Sequence, residues 1–570
     1  MKSDRPFTLT DAARYGLYGG IAAILIALVG MVQAFAKTGI IANLITMAQV
    51  LVYGLAFVVA IIVAGRAARS RRSLAVPAAV IAGAVSMLLL ALLALLIDRV
   101  NLREIFTNAG KELANLLLPG EEIGLTSALI LTAIGAAVGL VAGLFTFIPA
   151  KLRSALIGGA GAVILVGLMQ DVLIPVLPES VDKFLYVSKG LKPLGALAIF
   201  VLFFVLVYLN AMRRRTGTSR LDRLPPQQRQ VARFALTLVA LIILTLLPRV
   251  LGPFLSEVAD QVGFYIIMAL GLNVVVGFAG MLDLGYVAFY AIGAYTMAVL
   301  TTPELPVVRE FLPQLTFWEA LPFAVGAALL AGIFLGIPVL KTRGDYLAII
   351  TLGFGEIIRL LVLSDALKPL LGGAQGITGV GRPKIADFTA TNPQQFYYFI
   401  LVAIVIAWFI TSRLKASRLG RSWMAIREDE DVAAAMSINL VGYKLLAFAT
   451  GATLAGLSGA LFGSKLGSMV PASFNVLVSI NVLAVLIVGG MGSLPGAIVG
   501  AIVLIGLPEL LREFNEFRWW VYGAVLVFMM LNKPEGLWPE ATRVRELHEA
   551  AAEEHTHVVD DSGPTATTAA

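Results

Sequence analysis

The chain has 570 residues, of which 59% are apolar and only 14% charged, and its mean hydropathy is +0.89. This composition excludes an ordinary soluble domain, because a globular core cannot bury so large an apolar fraction. The formal charge of +7 comes from short basic clusters between apolar runs, which indicates orientation in a membrane and not nucleic-acid binding. The absence of cysteine excludes disulfides and thiol chemistry. No catalytic histidine is expected in the membrane, since the histidines are His548, His555 and His557.

Six apolar runs occupy the first part of the chain, near 15–35, 42–65, 74–97, 125–148, 154–177 and 193–211. Each has roughly the 20 residues that a helix needs to cross a bilayer. If each run crosses the membrane in turn, the basic clusters at 2–14, 66–72, 151–153 and 213–223 all lie on the same side of the membrane. The positive-inside rule predicts that this side, and with it the N-terminus, is cytoplasmic. We therefore predict an N-terminal membrane region of about six helices over 1–212.

A polar segment at 213–233 contains Pro225 and Pro226 and predicts a basic cytoplasmic linker between two membrane regions. About ten apolar runs follow, near 234–251, 262–282, 285–300, 318–340, 344–364, 396–411, 444–464, 476–490, 495–508 and 518–532. Glycines and Pro495 interrupt 476–508, so two thin spans and a re-entrant pair both stay open. The polar residues 541–570 predict a cytoplasmic, largely disordered tail. The fold class is thus an all-α membrane protein, a polytopic helical bundle.

The most informative polar segment runs from Arg418 to Phe448 and mixes both signs of charge. A solvated cytoplasmic loop is one interpretation. The other is a coupling helix, near 427–437, in which a charged run followed by small residues docks into a cleft of a partner subunit. The candidate residues for this coupling are Arg427, Glu428, Asp429, Glu430, Asp431, Ala433, Ala434 and Ser437.

The run from Arg427 to Phe448 resembles the EAA-type loop of ABC importer permeases, specifically those of the LivM type. Four other segments also resemble this family and stand in one order: GLNVVVGFAGMLDLGYVAFYAIGAYT at 271–296, LKTRGDYLAIITLGFGEIIRLL at 340–361, GGAQGITGVGRP at 372–383 and VLIVGGMGSLPGAIVGA at 485–501. The resemblance covers about 230–540. One departure lies in the loop, where the family usually has glycine at the position of Ser437.

The resemblance implies a type II ABC importer-like core of about ten helices over 234–540, with the N-terminal six helices as an addition to it. It implies a transport subunit and not an enzyme, in the bacterial inner membrane, importing branched-chain or related amino acids. The implied partners are a second, LivH-like permease, two cytoplasmic ATPase subunits and an extracytoplasmic binding protein, besides membrane lipid. Because the chain has no G-x-x-x-x-G-K-[ST] motif, ATP is expected to bind the partner subunits. No cofactor or metal site is predicted in this chain.

Five residues in the core are candidates for the transport pathway: Asn273, Gly277, Asp283, Glu356 and Arg359. Ionisable side chains in a membrane are functional candidates by default. The competing interpretations are structural. Glu356 and Arg359 are three residues apart, so on a helix they share a face and can neutralise each other. Asp283 can cap a helix end, while Asn273 and Gly277 suit close helix packing.

The glycine-rich segment 372–383 is predicted on the outer side of the membrane, where it would receive a binding protein or shape the entry. Its candidate residues are Gly372, Gly373, Gln375, Gly376 and Thr378. A secondary transporter is the alternative function, in which Asp283 and Glu356 would bind protons or sodium ions. The sequence leaves open which amino acid or other small polar solute is carried, and whether the permease pairs with itself or with a different chain.

Overall fold

The computed structural model describes residues 7–42, 44–118, 123–175, 177–187, 190–213, 226–339, 344–385, 388–510 and 517–540. The chain forms two compact units, Met1–Val239 and Ala240–Ala570. Most of the linker predicted at 213–233, and the whole tail predicted at 541–570, lie outside the described residues or their described side chains. A helix already begins at Pro226, inside the segment predicted as linker.

The first unit contains ten α-helices: α1 (Leu9–Leu28), α2 (Met31–Phe35), α3 (Met47–Ser70), α4 (Ala75–Arg99), α5 (Lys111–Leu117), α6 (Leu125–Phe145), α7 (Ala150–Leu168), α8 (Gln170–Leu173), α9 (Glu179–Leu185) and α10 (Pro193–Arg213), all within its described part. Four short strands form one sheet in the order β2-β1-β4-β3: β1 (Gly39–Ile41), β2 (Ile45–Thr46), β3 (Tyr186–Val187) and β4 (Gly190–Leu191).

Helix α4 is the centre of this unit and packs against α1, α3 and α6. Small residues make the contact with α6 possible, because a Cβ on Gly135 or Gly139 would collide with the backbone of α4 at Gly83 or Ala79. Such small-residue stripes let membrane helices approach with their backbones almost touching. Ser86 of α4 also contacts α1, since its Oγ donates to the carbonyl of Gly16 at 2.9 Å.

Helix α11 (Pro226–Leu272) crosses the boundary between the units, and most of it belongs to the second. The second unit also contains α12 (Val287–Thr301), α13 (Pro306–Phe311), α14 (Phe317–Val339), α15 (Asp345–Leu363), α16 (Lys368–Leu371), α17 (Pro393–Ala416), α18 (Arg418–Glu428), α19 (Glu430–Ala435), α20 (Leu440–Leu466), α21 (Val476–Gly489), α22 (Leu494–Ala501), α23 (Leu507–Leu510) and α24 (Phe517–Asn532). Two π-helical segments, Asn273–Phe278 and Ile502–Gly506, follow α11 and α22. Its short strands are β5 (Ile377–Thr378), β6 (Lys384–Ile385), β7 (Phe388–Thr389) and β8 (Ser468–Met469).

Among the described residues, eleven helices are long and apolar enough to cross a membrane, six of them in the first unit. The predicted polytopic all-α fold is therefore confirmed. The predicted run 234–251 lies on α11, and the run 262–282 begins on α11 and continues through the π-helical segment Asn273–Phe278. The backbone of α11 is non-helical at Gly252, where φ is 72°. The runs at 476–490 and 495–508 form a pair of helices bent by 118°, so this segment does not continue as one straight helix. Helix α12 is shorter, with 15 residues.

The core of the second unit lies around α12 and α20, which pack along their length with α14 against them. Glycines on both helices bring the backbones together, since a Cβ on Gly293 would collide with Gly456 and one on Gly459 with Tyr290. Tyr286 reaches across this interface and donates its hydroxyl hydrogen to the carbonyl of Gly451 at 2.8 Å. This packed centre holds in place the loops at both ends of α20, which carry the candidate site residues.

Candidate functional site

Residues 417–439, here called the charged loop, join α17 to α20 and form two short helices rather than one. Ser417 begins α18, and its Oγ accepts the amide hydrogen of Gly420. Asp429 then breaks the helix with an extended backbone and begins α19, because its Oδ1 accepts the amides of Asp431 and Val432 at 2.8 and 3.0 Å. A carboxylate at this position satisfies amides that a helix start leaves free. The compact helix expected near 427–437 is thus limited to Glu430–Ala435.

The inner face of the charged loop is anchored to the start of α20. Trp423 is fully buried, and its Nε1 donates to the carbonyl of Tyr443 at 2.7 Å. Lys444 is also buried, and its ammonium lies 2.5 Å from the carboxylate of Glu430. Ala433 packs inward with only 3% of its surface exposed. Glu430 and Ala433, both predicted to contact a partner, therefore hold the loop against its own unit.

Arg427 connects the charged loop to the π-helical segment after α11. Its Nη1 donates to the carbonyl of Gly277 at 2.9 Å. The side chain also lies against Gly280, where φ is 72° and an added Cβ would be 2.6 Å from Arg427 Cγ. A π-helical turn leaves carbonyls without the usual helical partner, and a guanidinium is well suited to bind one of them. Two residues predicted for separate roles, Arg427 for coupling and Gly277 for the pathway, are therefore in direct contact.

A second cation, Lys415 at the end of α17, binds the turn between α21 and α22. Its ammonium donates to the carbonyl of Gly492 at 2.9 Å and to the carboxylate of Glu540 at 2.6 Å. The amide of Gly492 in turn donates to Oδ1 of Asn273 at 2.9 Å. Sequence reasoning missed Lys415 and Glu540. A lysine in the last turn of a membrane helix is typical of orientation by the positive-inside rule, and only the tertiary fold brings Glu540 beside it.

The segment 533–540 caps the end of α21. The amides of Leu537 and Trp538 donate to the carbonyls of Val488 and Gly489, at 2.8 and 2.9 Å. These carbonyls belong to the last turn of α21, where a helix has no internal donors left. The two helix breaks, at 273–278 and 490–493, and this segment therefore meet at the end of the unit that carries the charged loop.

The outer face of the charged loop is apolar and acidic. Val432 is 60% exposed and Met436 74% exposed. Glu428, Asp431, Ala434 and Ser437 are exposed around them. Ser437 has φ of 63°, which is left-handed and unusual for a residue other than glycine. Exposed apolar side chains next to carboxylates form a surface suited to binding another protein.

Asp283 lies in the turn before α12 and is completely buried. Its Oδ1 accepts the amide hydrogen of Gly285 at 2.9 Å, and its Oδ2 has no hydrogen-bond partner among the described residues. The start of α12 is held by other groups, with Ser479 Oγ accepting the amide of Val287 at 2.8 Å. Asp283 therefore caps the turn that precedes the helix and not the first helical turn itself.

The remaining pathway candidates separate into two places. Asn273 is fully buried at the helix break, and Gly277 lies beside it. Glu356 and Arg359 instead pair on α15, where Arg359 Nε donates to both carboxylate oxygens at 2.9 and 3.0 Å. Their side chains are 44% and 30% exposed, on a face that also exposes Leu360. The i, i+3 spacing thus forms the expected pair, and the role of these residues in transport stays a prediction.

The glycine-rich segment lies at the end of α20 opposite the charged loop. Strand β5 within it pairs antiparallel with β8, so that Thr378 faces Ser468. Thr302 Oγ1 donates to the carbonyl of Thr378 at 2.6 Å. Gly372 and Gly376 have φ of 76° and 77°, a conformation that explains the glycines at these positions. Gly373 and Gln375 form a short 3-10 turn between them.

A buried ion-pair cluster near the same end was missed by sequence reasoning. The ammonium of Lys465 lies 2.8 Å from Oε1 of Glu257 and 3.1 Å from Oδ2 of Asp260. Glu257 and Asp260 stand one turn apart on α11, in the interval between two predicted apolar runs, so they were not counted as membrane residues. The i, i+3 spacing of two carboxylates inside a continuous helix was the available signal.

Comparisons with known proteins match mainly the second unit. Residues 254–532 match the family described as "Branched-chain amino acid transport system / permease component". The chain is similar to the "High-affinity branched-chain amino acid transport system permease protein LivM" of Escherichia coli (strain K12), with 39% identity over 56% of this chain and 78% of the relative. The Salmonella typhimurium protein of the same name shares 39% identity over 50% and 69%.

More distant similarity extends to the permease protein LivH of Salmonella typhimurium, with 25% identity over 49% of this chain and 93% of the relative. No solved structure gives a significant match. The similar region includes the charged loop, both helix breaks and the glycine-rich segment, since all of them lie between residues 254 and 532.

Proposed function

Because the chain belongs to the LivM-type permeases of branched-chain amino acid transport, we propose that it is the permease subunit of an ATP-driven importer for branched-chain or related amino acids. It forms a translocation pathway in the membrane and performs no catalysis of its own. ATP binds separate subunits, since the chain carries no P-loop motif. Transport is driven by their closure, which moves the charged loop and switches access across the membrane.

The observation that carries this proposal is the two-faced charged loop. Its inner face holds the helix breaks through Arg427 and Gly277, at 2.9 Å. Its outer face exposes Val432 and Met436 beside carboxylates. A cleft in an ATPase subunit would bury these two apolar side chains, and the hydrogen bond of Arg427 would pass the movement to the π-helical segment. In a loop that contacts only solvent, the apolar area of Val432 and Met436 stays in water, whereas docking into a partner removes it from water.

The partners follow from the same family. A second, LivH-like permease, two ATPase subunits on the cytoplasmic side and an extracytoplasmic binding protein complete the importer in the bacterial inner membrane. Both termini and the charged loop are cytoplasmic, and the glycine-rich segment lies outside. We assign the face of α15 with Glu356 and Arg359 to the second permease, because an ion pair facing lipid is costly.

Co-expression with the neighbouring chromosomal genes, mild purification and reconstitution into proteoliposomes test the proposal. The expected result is co-purification of an ATPase and a second permease, with leucine uptake that requires ATP. A V432D/M436D double variant should lose the ATPase subunit during purification while still inserting into the membrane. Val470→Asp is the matched control, because Val470 is also exposed but lies at the other end of α20.

Two outcomes would contradict the proposal. Retention of the ATPase subunit by the double variant would show that the tip of the charged loop is not the docking surface. A lone chain that transports leucine down an ion gradient without ATP would establish the secondary transporter, with Asp283 and Glu356 as the candidate ion sites.

A further inference from the structure

The cluster of Glu257, Asp260 and Lys465 has the composition of a binding site for a primary ammonium group. Two carboxylates from α11 approach one ammonium from α20, at 2.8 and 3.1 Å. The ring of Phe264, one turn further along α11, lies 5.7 Å from the same ammonium. Carboxylates and an aromatic face are the groups by which proteins recognise amines. In this structure the ammonium in the site is that of Lys465, a side chain of the protein itself.

Asp260 and Lys465 are buried, and the charges of the cluster are not matched. Asp260 is completely buried, and its Oδ1 has no hydrogen-bond partner among the described residues. Lys465 is the cation that pairs with both carboxylates in the described part of the chain, and its side chain is only 9% exposed. One ammonium therefore serves two carboxylates. Leaving a buried carboxylate oxygen without a donor is destabilising, so the site favours an ammonium that can donate to Oδ1 of Asp260 as well.

The cluster can be reached from the end of the unit that carries the glycine-rich segment. The side chain of Glu257 is 44% exposed, in contrast to Asp260 beneath it. Helix α20 ends one residue after Lys465, and the carbonyl of Gly467 accepts the amide of Val380 from the glycine-rich segment. Deeper along the same two helices, Ser458 Oγ donates to the carbonyl of Phe264 at 3.0 Å and closes the interface. The site is thus exposed at the end near Glu257 and closed by helix packing at the end near Ser458.

We propose that Glu257, Asp260 and Phe264 form an ammonium site that receives the α-ammonium group of the transported amino acid. Lys465 occupies the site until the substrate arrives. Once displaced, the ammonium of Lys465 can bind the α-carboxylate of the substrate. The site is therefore suited to a zwitterionic amino acid. This inference rests on the proposed import of amino acids, and it adds where their charged group is bound.

Lys465 acts as a tethered competitor of the ligand ammonium. A tethered group competes at a high effective concentration, so its removal should strengthen ligand binding. In Lys465→Met, L-leucinamide, which has the ammonium but no carboxylate, should bind about tenfold more tightly than in the wild type. Asp260→Asn should weaken the binding of leucinamide about tenfold, because a buried charge partner is lost.

Saturation-transfer NMR on the purified permease complex measures these affinities, with L-leucinamide and 4-methylpentanoate as probes. The carboxylate probe, which lacks the ammonium, should not bind the site. Glu257→Gln is a second variant in case Asp260→Asn does not fold, since Glu257 is partly exposed. Lys183→Met is the matched control, because it removes an exposed lysine paired with Glu179 and should leave binding unchanged.

Unchanged or weaker leucinamide binding in folded Lys465→Met would overturn the inference. Displacement of leucinamide by sodium chloride, but not by N-methylglucamine chloride at equal concentration, would assign the site to an inorganic cation instead. The proposed function is judged separately by ATP-dependent leucine uptake of the wild type. Uptake without ammonium binding would therefore reject the site and leave the importer in place.

Discussion

The guanidinium of Arg427 and the carbonyl of Gly277 are hydrogen-bonded although 150 residues separate them in the sequence. This bond joins the charged loop to the π-helical segment Asn273–Phe278, which directly follows α11. In the proposed mechanism, a movement of the loop would act on the membrane helix through this bond, without an intermediate residue. The same end of the unit holds Lys415 against the turn at Gly492, so both helix breaks depend on one group of cations.

Arg427→Met should uncouple ATP hydrolysis from transport. The substitution keeps an unbranched side chain against Gly280 but removes the donor for Gly277. A hydrogen bond from a charged donor contributes roughly 1.5–3 kcal/mol, so uptake should fall about tenfold or more. ATPase activity of the assembled complex should persist, as measured in the same proteoliposomes.

Arg421→Met is the control for this prediction, since Arg421 lies on the same helix and, among the described residues, donates only to the carbonyl of Ala416. It should retain normal uptake. If Arg427→Met transports as well as the wild type, the hydrogen bond to Gly277 does not transmit the movement.

Gly280→Ala should disturb the same contact from the other side. Gly280 has φ of 72°, and an added Cβ would lie 2.6 Å from Arg427 Cγ. Strain of this kind costs roughly 1–3 kcal/mol, and the midpoint of thermal unfolding should decrease. In Gly353→Ala, the added Cβ meets no described atom within 4 Å, so the midpoint should stay equal or rise. Equal midpoints for Gly280→Ala and the wild type would contradict the described packing.

Ser437→Gly should stabilise the protein. Ser437 has φ of 63° at the end of the charged loop, and glycine adopts this conformation without strain. The expected gain is about 1 kcal/mol. Ser422→Gly, inside α18, should have the opposite effect, because glycine weakens a helix interior. Denaturant unfolding of the purified chain in detergent compares the two variants, and destabilisation by Ser437→Gly would be inconsistent with the backbone described.

Lys415 and Glu540 should be energetically coupled. Their side chains are 22% and 31% exposed and lie 2.6 Å apart, so water screens the pair only in part. A double-mutant cycle with Lys415→Met and Glu540→Gln should give a coupling energy of about 1 kcal/mol. Thermal unfolding of the four proteins measures this energy. A value near zero would mean that segment 533–540 is held by its backbone hydrogen bonds alone.

Much of the architecture was predictable because it depends on local patterns. Six apolar runs in the first unit correspond to six long helices, since length and hydropathy suffice to define a membrane helix. The pairing of Glu356 with Arg359 followed from helical spacing. The charged loop was noticed in the sequence because of its charge, and it lies within the segment that the family comparison covers, while its coupling role stays a prediction.

The roles inside the charged loop were harder to predict. The acidic run was treated as one docking surface, but Asp429 begins α19 and Glu430 pairs with Lys444. Both assignments depend on where α18 ends, and short-range patterns define helix ends poorly. The contacts of Arg427 and Lys415 could not be predicted, because they join segments far apart in sequence through backbone carbonyls, which every residue carries.

The capping of α21 by Leu537 and Trp538 has a practical consequence for anyone who shortens or labels this protein. A truncation after Asn532, where the last described helix ends, would remove both amide donors and expose the carbonyls of Val488 and Gly489. An affinity tag joined at that point would displace them in the same way. The first position at which a fusion leaves the end of α21 and the partner of Lys415 intact is therefore after Glu540.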